Sequence, residues 1–72
     1  MANTVDARGL SCPQPVLMTL AEIKKIGRGA ILVLVDTDTS KENVVRAAES
    51  QGWHVDKIEN EGGGYRISIM KD

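Results

Sequence analysis

The chain has 72 residues, with nine lysines and arginines against ten aspartates and glutamates, one tryptophan, one tyrosine and no phenylalanine. A chain of this length forms one small domain with an aliphatic core, so we expect residues 1–72 to fold as a single unit. The balanced, interspersed charge argues against direct binding of nucleic acid, and no apolar run approaches the roughly 20 residues that span a bilayer.

The cysteine count indicates the compartment. The chain has one cysteine, which cannot form an internal disulfide. No signal peptide precedes the first predicted strand, so we expect a cytoplasmic, reduced protein. One cysteine and one histidine cannot supply the four ligands of a structural zinc site. We therefore expect no metal, and no sequence motif calls for an organic cofactor.

A strand and a helix are predicted in the first third of the chain. The strand covers residues 4–7 and ends at the turn signal Arg8-Gly9. The helix runs from Pro13 to about Ile26, before the glycines at 27 and 29. Its predicted inward stripe, at helical spacing, comprises Val16, Leu20 and Ile23, flanked by Leu17 and Ile26.

The middle of the chain predicts a buried strand and a second helix. Residues 30–35 form an unbroken aliphatic run, typical of a central strand. After the polar loop 36–39, Thr39 and Glu42 have the spacing of a capping box, with Thr39 as the N-cap. We expect this helix to reach about Gln51 and to bury Val44, Val45 and Ala48.

Two more strands, over residues 53–61 and 65–71, are predicted around the glycine hairpin at 62–64. The resulting order is βαβαββ. Both helices follow strands, and right-handed crossovers place them on the same side of the sheet. The predicted fold class is α/β, a two-layer sandwich.

Cys12 is the strongest candidate for a functional residue. It is followed by Pro13 and Pro15, which fit the first turn of a helix because their missing N–H groups have no helical partner there. This spacing favours Cys12 as the N-cap. A sulfur at that position faces the positive end of the helix dipole, which favours the thiolate, and Arg8 is a candidate for added positive charge. We expect a thiol pKa below the ordinary value.

The chemistry open to one thiol is limited. A dithiol cycle needs a second cysteine. A cysteine hydrolase needs a histidine base, and the one candidate, His54, is expected on a strand edge. Thiol transfer, persulfide carriage and covalent capture remain.

The segment Asp6-Ala7-Arg8-Gly9-Leu10-Ser11-Cys12-Pro13-Gln14-Pro15-Val16 resembles the signature of the TusA/SirA-like sulfur carriers, and the likeness extends over nearly the whole chain. The resemblance implies a mixed four-stranded sheet in the order 1-2-4-3 with both helices on one face. It also implies that Cys12 carries sulfur as a persulfide. The donor would be a cysteine desulfurase or a rhodanese-like protein, and the acceptor another protein of a sulfur relay.

Two alternative functions stay open. One is an accessory role in thiosulfate uptake and use, beside a thiosulfate transporter. The other is a non-catalytic regulatory binding module, for which Cys12 would be dispensable.

We expect specificity to come from a protein surface around Cys12, since the chain lacks pocket-lining aromatics. Leu10 lies either on that surface or in the core beneath the loop. Gly9 is expected to make the turn, and Pro13 and Pro15 to stiffen the site. The expected docking residues are Arg8, Leu10, Ser11 and Gln14, with the loop 36–39 beside them.

Overall fold

Six elements follow one another in the predicted order. The computed structural model describes residues 3–10 and 14–72. The strands and helices are β1 (Asn3–Asp6), α1 (Gln14–Ile26), β2 (Gly29–Val35), α2 (Asp38–Ser50), β3 (His54–Glu61) and β4 (Gly64–Lys71). Each predicted element is present, with its ends displaced by a residue or two. Within the described part of the chain, no helix is long and apolar enough to cross a membrane.

The four strands form one mixed sheet in the order β1-β2-β4-β3. β1 and β2 are parallel, with Val5 opposite Val33. β4 runs antiparallel to both of its neighbours, and Tyr65 at its start lies opposite Val35 at the end of β2. The two helices pack against each other and against the sheet. The predicted two-layer α/β sandwich and its strand order are therefore confirmed.

The core lies between the helices and one face of the sheet. Alternate residues of the two central strands point into it, as expected when one face of a sheet is covered. Trp53, just before β3, is the largest side chain that is fully buried. The other buried apolar residues are Val5, Ala7, Ile23, Ile31, Val33, Val35, Val44, Ala48, Ile67 and Ile69.

The inward face of α1 differs from the predicted stripe. Its buried residues are Pro15, Thr19 and Ile23. Val16 and Leu20 are half-buried against the edge of the core, and Leu17 is 53% exposed. Thr19 can be buried because its hydroxyl donates to the carbonyl of Pro15 over 2.8 Å. A locally satisfied hydroxyl costs little to bury, whereas the prediction counted only apolar side chains.

α2 begins two residues earlier than the capping box suggested. Thr37, not Thr39, is the N-cap, and its side chain accepts a hydrogen bond from the amide of Ser40. The prediction of Thr39 was wrong: Thr37 accepts the bond from Ser40 three residues on, and Thr39 lies inside the first turn of the helix. The inward residues Val44 and Ala48 are buried as predicted, and Val45 is half-buried against them.

The glycine hairpin lets β4 approach β2 closely. Gly62 and Gly63 both have positive φ, +55° and +88°. This is the backbone sign that a two-residue type I′ turn requires. Gly64 then starts β4 so close to the end of β2 that a Cβ built on it would lie 2.6 Å from the carbonyl oxygen of Val35.

Candidate functional site

The segments that matter for function meet at one edge of the sheet. β1 and β2 are parallel, so both end there. β4 starts at the same edge, because Tyr65 pairs with Val35. The N-terminal ends of α1 and α2 follow directly from the loops at this edge. We call it the motif edge, because β1 leads there into the cysteine motif of the sequence.

A tight turn follows β1. The amide of Ala7 donates to the carbonyl of Leu34 over 2.8 Å, which extends the β1–β2 ladder by one residue. The amide of Leu10 donates back to the carbonyl of Ala7 over 3.3 Å, and Gly9 between them has φ +79°. Glycine is favoured at the third position of such a turn, as in the type II turn, because L side chains rarely adopt this φ. The predicted turn at Arg8-Gly9 is thus present.

Arg8 is held by Asp6 through a two-point contact. Its Nε donates to Asp6 Oδ1 over 2.9 Å, and its Nη2 donates to Oδ2 over 2.8 Å. Together with a bond from the Arg8 amide to Oδ1, these contacts lower the pKa of Asp6 from its ordinary 3.8 to about 2. The side-chain hydrogen bonds to Asp6, then the negative charge of Asp6 and, to a smaller extent, that of Asp36 raise the pKa of Arg8. The guanidinium that we expected to act on Cys12 is therefore neutralised largely by Asp6.

The loop after β2 contacts this turn. Asp36 Oδ2 accepts a hydrogen bond from the amide of Gly9 over 2.7 Å, across 27 positions of sequence. From the sequence we expected the loop 36–39 to lie beside the motif, but we expected no particular contact of Asp36. The contact depends on the parallel pairing of β1 and β2, so no local pattern in the sequence could reveal it.

Cys12 lies outside the described residues, as do Ser11 and Pro13, so the placement predicted for them stays a prediction. The residues that flank them are described. Leu10 is 39% exposed and is not tucked into the core, and Gln14 is exposed as the first residue of α1. An open surface therefore borders the cysteine in sequence on both sides.

Pro15 has a structural role at the start of α1. It is fully buried and accepts the hydroxyl bond of Thr19, so it anchors the first turn of the helix to the core. α1 carries no acidic residue in its first turn, and Lys24 and Lys25 lie in its last turn. The positive end of the helix dipole therefore remains uncompensated by the helix's own side chains.

A second set of contacts at the motif edge was not anticipated. The hydroxyl of Tyr65 donates to Asp38 in the first turn of α2, and the Nζ of Lys41 lies 4.6 Å from the centre of the Tyr65 ring. Hydrogen bonding to the carboxylate, more than desolvation or charge, raises the pKa of Tyr65. These contacts join α2 to β4. In the sequence, Asp38 stood out only as part of the polar loop 36–39.

No group of three or more potential metal ligands (His, Cys, Asp or Glu) occurs among the residues that the structure describes.

The chain combines a two-layer α/β sandwich with the sequence Cys12-Pro13-Gln14-Pro15 between β1 and the body of α1. The model of the family described as "Sulfurtransferase TusA" matches residues 3–71. The chain belongs to this family, and the resemblance seen in its sequence is confirmed.

Relatives from several bacteria have similar sequences. A sulfur carrier protein TusA from Pseudomonas entomophila (strain L48) is 30% identical over 94% of this chain and 86% of its own length. A protein from Aquifex aeolicus (strain VF5), named "Putative sulfur carrier protein", is 38% identical over 96% of this chain. This chain spans only 36% of the Aquifex protein's length.

A solved structure has the same fold. The crystal structure of a SirA-like protein from Desulfitobacterium hafniense superposes with a TM-score of 0.86 at 33% identity, covering 97% of this chain and 96% of that one. Membership of the family and the sandwich fold thus rest on sequence and structure alike.

Proposed function

We propose that this chain is a sulfur carrier that holds sulfane sulfur as a persulfide on Cys12 and passes it to a protein acceptor. The observation that carries the proposal is that the segment Cys12-Pro13-Gln14-Pro15 contains the one cysteine of a chain that belongs to the TusA family. The uncompensated N-terminal end of α1 supports it, because a positive helix end stabilises a thiolate beside it.

The chemistry needs no group beyond the thiol. The Cys12 thiolate attacks the terminal sulfur of a donor persulfide, R–S–SH. A new S–S bond forms to Cys12, the donor's S–S bond breaks, and the donor leaves as R–S⁻. The acceptor's thiolate then attacks the outer sulfur of the Cys12 persulfide in the same way, and Cys12 is released as a thiolate.

The partners in this proposal are proteins. The donor would be a cysteine desulfurase or a rhodanese-like protein, and the acceptor another carrier of a relay that works where thiols stay reduced. Leu10 and Gln14 are exposed on either side of the motif cysteine, which supports docking at the motif edge. Leu10 offers a docking partner an apolar side chain next to the motif cysteine in sequence.

A comparison of two sulfur donors tests the proposal. A cysteine desulfurase supplied with ³⁵S-cysteine delivers sulfur through protein contact, whereas inorganic polysulfide needs no docking. We expect Leu10→Ala to slow loading from the desulfurase and to leave polysulfide loading unchanged. Met70→Ala is the matched control, because Met70 is 40% exposed and pairs with the start of β2, at the opposite edge of the sheet.

The outcomes separate docking from tuning of the thiol. If Leu10→Ala slows both donors equally, Leu10 shapes the loop and the docking proposal is wrong. A Cys12→Ser protein that still accepts label from the desulfurase would overturn the carrier function itself and favour a regulatory role.

A further inference from the structure

We propose that Asp36 is a positioning residue for sulfur transfer: its carboxylate fixes the turn that leads into Cys12. The inference rests on the proposed function and adds a residue to it from outside the cysteine motif. Asp36 follows β2, and the turn follows β1, so the two strands bring together parts of the chain that are distant in sequence.

The turn after β1 is held weakly by its own backbone. The closing bond from Leu10 to Ala7 is 3.3 Å long, beyond the usual range for an N–H···O bond. The amide of Gly9, the residue before Leu10, donates to the carboxylate of Asp36 over 2.7 Å. A bond to an ionised carboxylate is shorter and roughly twice as strong as one between neutral groups. The Asp36 carboxylate therefore restrains the turn more firmly than its closing bond does.

Asp36 itself stands on a rigid base. Its backbone packs against the start of β4, where a Cβ on Gly64 would lie 3.3 Å from Asp36 Cα. The next residue, Thr37, caps α2. The backbone of Asp36 is therefore packed on one side and leads into a capped helix on the other, so its carboxylate belongs to a well-packed part of the fold.

The consequence concerns the placement of the thiol. Gly9 lies three residues before Cys12, and α1 begins two residues after Cys12. We expect a looser turn to let the segment that follows Gly9 in sequence, and with it Cys12, vary more in position relative to α1. A displacement on the order of 1 Å at a reacting group can cost as much as a hundredfold in rate.

Three substitutions of Asp36 distinguish an effect of its hydrogen bond on the turn from an effect of its negative charge. Asp36→Asn keeps an oxygen that accepts the Gly9 bond and removes the charge. Asp36→Glu keeps the charge and moves the carboxylate one methylene farther from the backbone. Asp36→Ala removes both. Asp56→Asn, at an exposed aspartate of β3, is the control for loss of one surface charge.

Two rates are measured for each variant, far below its urea unfolding midpoint. One is the loading of sulfur from polysulfide, and the other is the alkylation of Cys12 by iodoacetamide against pH, whose midpoint reports the thiol pKa. We expect Asp36→Ala to load about tenfold more slowly than the unmodified chain, with its alkylation midpoint raised. Asp36→Glu should also load more slowly. Asp36→Asn, which keeps a weaker neutral acceptor, should lose less activity than Asp36→Ala, and Asp56→Asn should stay within about twofold of the unmodified chain.

The sign of the midpoint shift excludes a simple charge effect. Loss of a nearby negative charge would lower the thiol pKa in Asp36→Ala and Asp36→Asn alike. Equal behaviour of these two variants, or normal loading by Asp36→Ala, would overturn the inference. If Asp36→Ala does not fold, the loading rates of Asp36→Glu and Asp36→Asn are compared. Slower loading by Asp36→Glu supports the inference, and equal loading overturns it. Alkylation needs no sulfur donor, so it tests Asp36 even if the unmodified chain accepts no sulfur.

Discussion

Asp6 and Arg8 act as one unit at the start of the motif edge. The two side chains are both about half exposed, and the guanidinium grips the carboxylate with two parallel bonds of 2.9 and 2.8 Å. Exposed ion pairs contribute little to stability on average, but two-point geometry is the favourable case. The pair also fixes the amide of Arg8, so its function is to shape the turn as well as to pair charges.

The Asp6–Arg8 pair predicts a specific pH dependence. The pKa of Asp6 falls from 3.8 to about 2 on folding, so its stabilising effect is fully present above about pH 4. The effect is lost as the pH falls towards about 2, where the folded carboxyl also binds a proton. Urea unfolding should show Asp6→Asn to be less stable than the unmodified chain at neutral pH, with the difference vanishing near pH 2. Added salt should reduce it.

Asp56→Asn is the control for this titration, because Asp56 is an exposed aspartate away from the motif edge. It should show no comparable difference at any pH. A stability difference for Asp6→Asn that persists unchanged at pH 2 would contradict the assignment.

The helices show how far local sequence predicts local structure. Periodicity located both helices, because each has an apolar face. It misjudged which residues of α1 point inward, because Thr19 is buried through a bond to the Pro15 carbonyl that no hydropathy pattern records. It also chose the wrong cap for α2, because Thr37 and Thr39 are both plausible caps. In the structure, the cap Thr37 lies two residues after the end of β2 at Val35.

Thr37 and Thr39 provide a matched pair for testing the cap. Thr37→Ala removes the acceptor for the Ser40 amide, and loss of such a cap costs about 1 kcal/mol. Thr39→Ala changes an exposed residue of the first turn and should stay within about 0.5 kcal/mol of the unmodified chain. The free energy of unfolding in urea measures both. A larger loss of unfolding free energy for Thr39→Ala than for Thr37→Ala would show that Thr39 is the N-cap.

Across the whole molecule, the motif edge is assembled from segments that only the fold brings together. Cys12 and its motif were recognisable in the sequence because they are contiguous. The contacts of Gly9 with Asp36 and of Tyr65 with Asp38 each span 27 positions, so they depend on the pairing of the strands. The strand order came from family resemblance, since alternation of side chains does not specify which strands are neighbours.

Gly64 tests how tightly this edge is packed. A methyl group there would lie 2.6 Å from the Val35 carbonyl, and backbone atoms cannot move aside cheaply. Gly64→Ala should therefore destabilise the fold by about 1–3 kcal/mol, the usual cost of overpacking. Gly62→Asn is the control, because φ +55° suits asparagine and a Cβ there meets nothing within 4 Å. Equal stability of Gly64→Ala and the unmodified chain in urea would refute the close approach.

The central claim is that Cys12 carries sulfane sulfur, and intact-mass measurement after incubation with inorganic polysulfide tests it most directly. The unmodified chain should gain the mass of one sulfur atom, and dithiothreitol should remove it, because a thiol reduces a persulfide. Fragmentation should locate the added mass on the peptide that contains Cys12, and Cys12→Ala should gain nothing. An unmodified chain that accepts no sulfur, or a Cys12→Ala protein that does, would contradict the account.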